Sequence, residues 1–221
     1  METIKVPRSL IRAKNLGAKR VLVYMSIQFA HWNGRDINDL ISLCGYSLSN
    51  RNVGSSASQV RYIVRRLADY GLFDRDEGLI PHDECYGLIS KAEYELIFLG
   101  NKTILSDSKP YNAEAILLLL ACIRCHMTHT SCAPQVYSNL LCRISDDIGL
   151  STRTISNCIY WLEELDIIHS ERLPRYKDGD GHWHTNVRIF VNRHGRLDAD
   201  DTYDWQKETK RGIAMILANI R

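Results

Sequence analysis

The chain has 221 residues, 45% of them hydrophobic and 24% charged, enough apolar material for one or two packed cores and too much for a globally disordered chain. Its net charge is only +2, so a nucleic-acid partner is not announced by overall charge and would have to be met by a local concentration of it. Seven cysteines is an odd number for a disulfide framework, and most lie at apolar-periodic positions, which suits reduced, buried thiols.

Residues 1–14 read as a basic N-terminal arm. Across it and the following turn, Lys5, Arg8, Arg12, Lys14, Lys19 and Arg20 stand against Glu2 alone. The arm either tracks phosphates or packs as a leader. No apolar run of signal-peptide length follows Met1, and the most apolar window, "AEAILLLLACIRCHM", is too short to span a bilayer and is interrupted by Arg124. The expectation is a soluble, cytoplasmic protein.

Helical periodicity then predicts helices at about 17–31, 36–44 and 56–70, followed by a strand at 72–75 and a short hairpin, "LFDRDEGLIP". Residues 81–111 form a connector, with a helix in "ISKAEYELIFLG" ended by Gly100 and a hinge near Lys109-Pro110. Further helices are predicted at 112–127, 143–149 and 152–165, then a strand at 167–172. A longer hairpin follows, "IIHSERLPRY" through "KDGDGHWH" to "NVRIFVN", whose Asp-Gly pairs suit the positive φ of a turn. The last stretch, 197–221, reads as a C-terminal helix.

These elements repeat. At a constant offset of 95, Val60 matches Ile155, Val64 matches Ile159, Leu67 matches Leu162, and Leu72 and Phe73 match Ile167 and Ile168. The same offset pairs Val21 with Ile116 and Leu22 with Leu117. Two separated segments sharing one offset imply two copies of one unit, 15–80 and 112–196.

The stretch "ISDDIGLSTRTISNCIYWLEELDII" carries Ile144, Gly149, Leu150, Ser151, Arg153, Thr154 and Ile155, then Leu162 to Ile168. It resembles the winged helix-turn-helix superfamily over about 80 residues. The resemblance implies a mainly α chain with small β-hairpins (α+β): two tandem winged helix-turn-helix domains plus the C-terminal helix. The first copy departs from the motif, since "GYSLSNRNVGSSAS" replaces the tight turn; its place in the family rests on the repeat. The tandem layout resembles plasmid and phage replication initiators, and equally small bacterial transcription regulators.

The candidate DNA-reading face follows from stepping 100° per residue. In copy two, Ile155, Cys158, Ile159 and Leu162 cluster inward, while Arg153, Ser156, Asn157 and Tyr160 cluster outward, with Thr152 in the first turn and Ser151 as N-cap. Arginine can pair with guanine, asparagine with adenine, and hydroxyls with phosphate. In copy one, Ser58, Arg61, Tyr62 and Arg65 face out with Arg66 on the flank. From Arg51 to Arg66 there are four arginines and no acid, whereas Asp69 to Glu95 carries eight acids against Arg75 and Lys91. The plain alternative is a solvated helix face. The hairpin of copy two adds Arg172, Arg175 and Lys177, with Arg188 and Arg193 on or after its return strand, as phosphate contacts.

Other constellations carry less. Cys122, Cys125, His126 and His129 have metal-ligand types. On one continuous helix, though, the outer two lie ~10 Å apart along the axis, and packed cysteines explain them better. "KDGDGHWHTN" lacks the later acid of a calcium loop. No phosphate-binding glycine loop, nucleophile elbow or HExxH is present, so neither an enzyme nor a cofactor is expected. Ile213, Ile216, Leu217 and Ile220 form an apolar stripe that packs back on the second copy or makes a homodimer contact. The expected partner is double-stranded DNA, and the contrasting class is a winged-helix protein-interaction scaffold.

Overall fold

The computed structural model describes residues 2–32, 34, 36–48, 55–74, 78–80, 85–103, 110–128, 136–177, 179–181 and 183–191. Its start differs from the expected basic arm. In "TIKVP" the apolar residues alternate, which suits a strand with one face inward. Strand β1 (Thr3–Pro7) accordingly buries Ile4 and Val6 and leaves Thr3 and Lys5 exposed. Helix α1 (Arg8–Arg12) follows directly and buries Leu10 and Ile11; a 3-10 turn (Lys14–Leu16) leads to α2 (Lys19–Phe29). The arm is a packed element. The alternation of Ile4 and Val6 outweighs the basic residues between them, whose heads reach the surface or a partner.

After α2 come α3 (Ile37–Leu43) and α4 (Ser56–Asp69), then the two-residue strands β2 (Phe73–Asp74) and β3 (Gly78–Leu79). Asp36 caps α3, accepting from the Asn38 amide at 2.8 Å, and Ser55 caps α4, accepting from the Ser58 amide at 3.3 Å. Strand β4 (Tyr86–Ser90) pairs antiparallel with β1 and runs into α5 (Lys91–Thr103). A capping box starts that helix: the Ser90 amide and hydroxyl donate to Glu93 Oε2 at 2.9 and 2.8 Å, while the Glu93 amide donates back to Ser90 Oγ. The helix continues through Gly100 instead of stopping there. Lys109, half of the expected hinge, lies outside the described residues.

Helix α6 (Ala113–Thr128) is buried on every side from Ala115 to Ile123, which explains why its sequence has no polar face. It lies against β4, α2, α8 and α5. Its one central charge, Arg124, reaches the buried carboxylate of Glu93. Gly87 lets β4 approach, since a Cβ there would run into the Ala121 carbonyl oxygen.

Strand β5 (Val136–Leu140) precedes α7 (Leu141–Ile148) and α8 (Thr152–Glu164), and β6 (Ile168–Arg172) comes next. Beyond it lie β7 (Tyr176–Lys177), β8 (Trp183–His184) and β9 (Asn186–Val191). Three strands form one antiparallel sheet in the order β5-β9-β6, and β7 pairs with β8 as an outlying hairpin. Gly149 ends α7 in the left-handed region (φ 75°), and Ser151 caps α8, accepting from the Thr154 amide at 3.1 Å. Of the two Asp-Gly pairs in the hairpin, only Gly181 takes a positive φ. The chain is therefore a mixed α and β protein with small antiparallel sheets, in which an order of three helices and a hairpin occurs twice. No helix among the described residues is long and apolar enough to cross a membrane.

Candidate nucleic-acid interface

Helix α8 sorts its residues sharply. Ile155, Cys158, Ile159, Trp161 and Leu162 are buried. Thr152 and Arg153 are exposed, and Ser156, Asn157 and Tyr160 are half-buried. The first turn is therefore open, and the surface closes toward Tyr160, whose ring stands edge-on to Trp161 at 5.2 Å. Trp161, which periodicity alone did not place inward, donates to the Pro110 carbonyl at 3.2 Å and packs against Tyr111. Glu163 accepts from both the amide and the hydroxyl of Ser170, at 2.8 and 2.7 Å, tying the helix to β6.

On α4, Ala57, Val60, Ile63 and Leu67 are buried, while Arg61, Tyr62 and Arg65 are exposed. Arg61 donates to Asn38 Oδ1 on α3 at 3.0 Å, which aims its guanidinium along the junction of the two helices. Two expected contacts are turned elsewhere. The half-buried Ser58 donates its hydroxyl to the Ser55 carbonyl at 2.8 Å, completing the cap. Arg66 pairs with Asp69 at 3.0 Å and lies 5.3 Å from the centre of the Tyr70 ring. Hydrogen bonds from Asn15 and Arg66 lower the Tyr70 hydroxyl from its ordinary pKa. Arg51 lies outside the described residues.

At the hairpin, Arg172, Arg175 and Lys177 are exposed, and the Lys177 ammonium sits 5.2 Å above the ring of Trp183. Trp183 is 65% exposed, the most open large hydrophobic side chain among the described residues. Arg188 does not join this surface. It is buried and faces Glu171 at 3.4 Å, because β9 is the central strand of its sheet. Arg193 lies outside the described residues.

Several basic residues of the N-terminal stretch are engaged within the chain, although Lys5, Arg12 and Lys14 remain exposed. Arg12 meets Asp147 at 3.3 Å, Lys19 meets Glu114 at 3.0 Å, and Lys14 covers Gly149. Arg20, 1% exposed, donates to the carbonyls of Leu10 and Ile148, each at 2.8 Å, and also to those of Ile11 and Gly17. Burial lowers its pKa to about 10. Four carbonyl acceptors take four of the five N–H donors of this buried guanidinium and make it a structural joint.

The histidine–cysteine cluster is partly described. Cys122 and Cys125 are buried in α6, and burial pushes the Cys122 thiol up to about 12. His126 Nδ1 donates to the Cys122 carbonyl at 2.9 Å, and its other nitrogen lies 3.8 Å from Asp147. Among the described residues, no three His, Cys, Asp or Glu side chains are grouped to hold a metal ion. His129 lies outside the described residues, as do Ile213, Ile216, Leu217 and Ile220.

Comparisons with family models, with curated proteins and with solved structures returned no match.

Proposed function

We propose that this chain is a sequence-specific double-stranded-DNA-binding protein that reads its site with two winged helix-turn-helix units, 15–80 and 112–196. One observation carries the reading: in both halves the third helix buries its apolar side and opens a cationic, hydrogen-bonding side, through Arg61, Tyr62 and Arg65 on α4 and Thr152 and Arg153 on α8. The hairpin after β6 adds the exposed Arg175 and Lys177 as candidate phosphate contacts. The order β5-β9-β6 behind α7 and α8 supports the winged-helix reading of the second unit. Two readers in one chain fit a replication initiator or replisome organiser of a mobile element. A promoter operator as the selected site, with effects on transcription alone, would assign it to regulation instead.

Fluorescence anisotropy with mixed-sequence and selected duplexes over a salt series tests the proposal. The log of the association constant falls linearly with log salt, by roughly 0.9 per phosphate contacted. Absence of duplex binding even at low salt would favour a protein-interaction scaffold.

A further inference from the structure

The two halves meet in a way that sets the orientation of the DNA they would read, on the assumption that the DNA-binding proposal holds. Strands β1 and β4 occupy the same place in each half. Each is five residues long and runs straight into a helix, and the step from Thr3 to Tyr86 and from Arg8 to Lys91 is 83 residues in both cases. Their inward positions agree: Val6 and Ile89 are buried, as are Ile11 and Tyr94. The strands pair antiparallel, and the central partners of the ladder are Lys5 and Leu88, again 83 apart. An antiparallel pair of equivalent strands whose central partners are themselves equivalent has an approximate two-fold axis through that pair.

Several further contacts between the halves fit the same axis. Helices α2 and α6, which correspond at the 95-residue offset, pack together, and the counterparts Lys19 and Glu114 form an ion pair at 3.0 Å. The flanking helices are exchanged. Helix α1 and the turn after it press on the end of α7, through Arg12 with Asp147 and Lys14 against Gly149. Helix α5 presses on the end of α3, through Phe98 against Gly45, and its Tyr94 hydroxyl bonds Ser26 of α2 at 2.8 Å. Gly45 and Gly149 are the positive-φ glycines that follow α3 and α7 (φ 78° and 75°).

We infer that α4 and α8 are related by this two-fold, so that a single chain presents its two third helices with opposite polarity, as a symmetric dimer does. The ligand is a duplex with two unlike half-sites in inverted orientation, bound by one chain. Two copies repeated in line would instead read direct half-sites. Covalent linkage through a packed interface gives both halves one association step, with no need for a dimer.

The test places the photo-crosslinking residue p-benzoylphenylalanine at Ser56 or at Thr152, the first residues of α4 and α8, in the full chain. Each protein is crosslinked to a duplex enriched from a random pool and the adduct is mapped strand by strand. A 1:1 complex with the two crosslinks on opposite strands, in separate halves of the site, is expected. Both crosslinks on one strand, both in one half, or a requirement for two chains overturns the inverted arrangement while leaving DNA binding intact. Failure to enrich any duplex removes the DNA-binding reading and this inference with it.

Discussion

Burial changes the acid–base chemistry of three thiols in the core. Burial raises Cys44 to about 11 and Cys122 and Cys158 to about 12, from an ordinary value of 9.0. A group whose folded pKa is raised binds its proton more tightly in the folded state, so its contribution is complete below pH 9 and is lost as pH rises from 9 toward 12. Each ionising thiol removes up to about 1.4 kcal/mol per pH unit in that window. The urea midpoint is therefore expected to be lower at pH 10 than at pH 8, by an amount equivalent to a few kcal/mol; an unchanged or higher midpoint would refute it. Maleimide labelling under native conditions should reach the exposed Cys142 well before these three. The cationic residues show the complementary limit of sequence reading. Arg20, Arg66 and Arg188 are indistinguishable from Arg61 or Arg153 in a charge count, yet carbonyls, Asp69 and Glu171 consume them. The Asp69 partner is three residues along the same helix and could have been read locally, whereas the Ile148 carbonyl and Glu171 are distant in sequence, where local pattern carries no information.

The longer helices were legible in the sequence, several of them through 3.6-residue periodicity and α8 also through its Ser151 cap and the preceding Gly149, whereas the five-residue α1 was not. Strands β1, β4 and β5 were not legible either. They are five residues each, and their partners lie 83 residues away or beyond two intervening helices, so no tight turn announces the pairing. The β1–β4 ladder also sets a steric prediction. Gly87→Ala would drive a methyl into the Ala121 carbonyl, and neither β4 nor α6 is free to yield, because α6 is packed on all sides. Denaturant unfolding should show a loss of about 3 kcal/mol or more. Gly179→Ala, with nothing within 4 Å of its Cβ, should change stability by no more than about 0.5 kcal/mol. Equal effects at the two glycines would mean that β4 does not lie on α6 as described.

At the scale of the whole molecule, the repeat was visible in the sequence but the interlock of its two halves was not. The offset of 95 names which residues correspond, while the pairing of β1 with β4, the exchange of α1 and α5, and the Arg20 joint come only from the folded chain. Those contacts join the two similar units through a strand ladder, ion pairs and the Arg20 joint. The candidate surface that survives burial and pairing is smaller than the sequence suggested: Arg61, Tyr62 and Arg65 on α4, the first turn of α8 with half-buried Ser156 and Asn157 beside it, and the hairpin cations. The most direct measurement compares binding of a selected duplex by the parent chain, Arg153→Ala and Arg66→Ala. Loss of about 1–3 kcal/mol with relaxed base preference for Arg153→Ala, against a small effect for the internally paired Arg66, is the expected result. Unchanged affinity and base preference for Arg153→Ala would contradict the assignment of α8 as a reader of DNA.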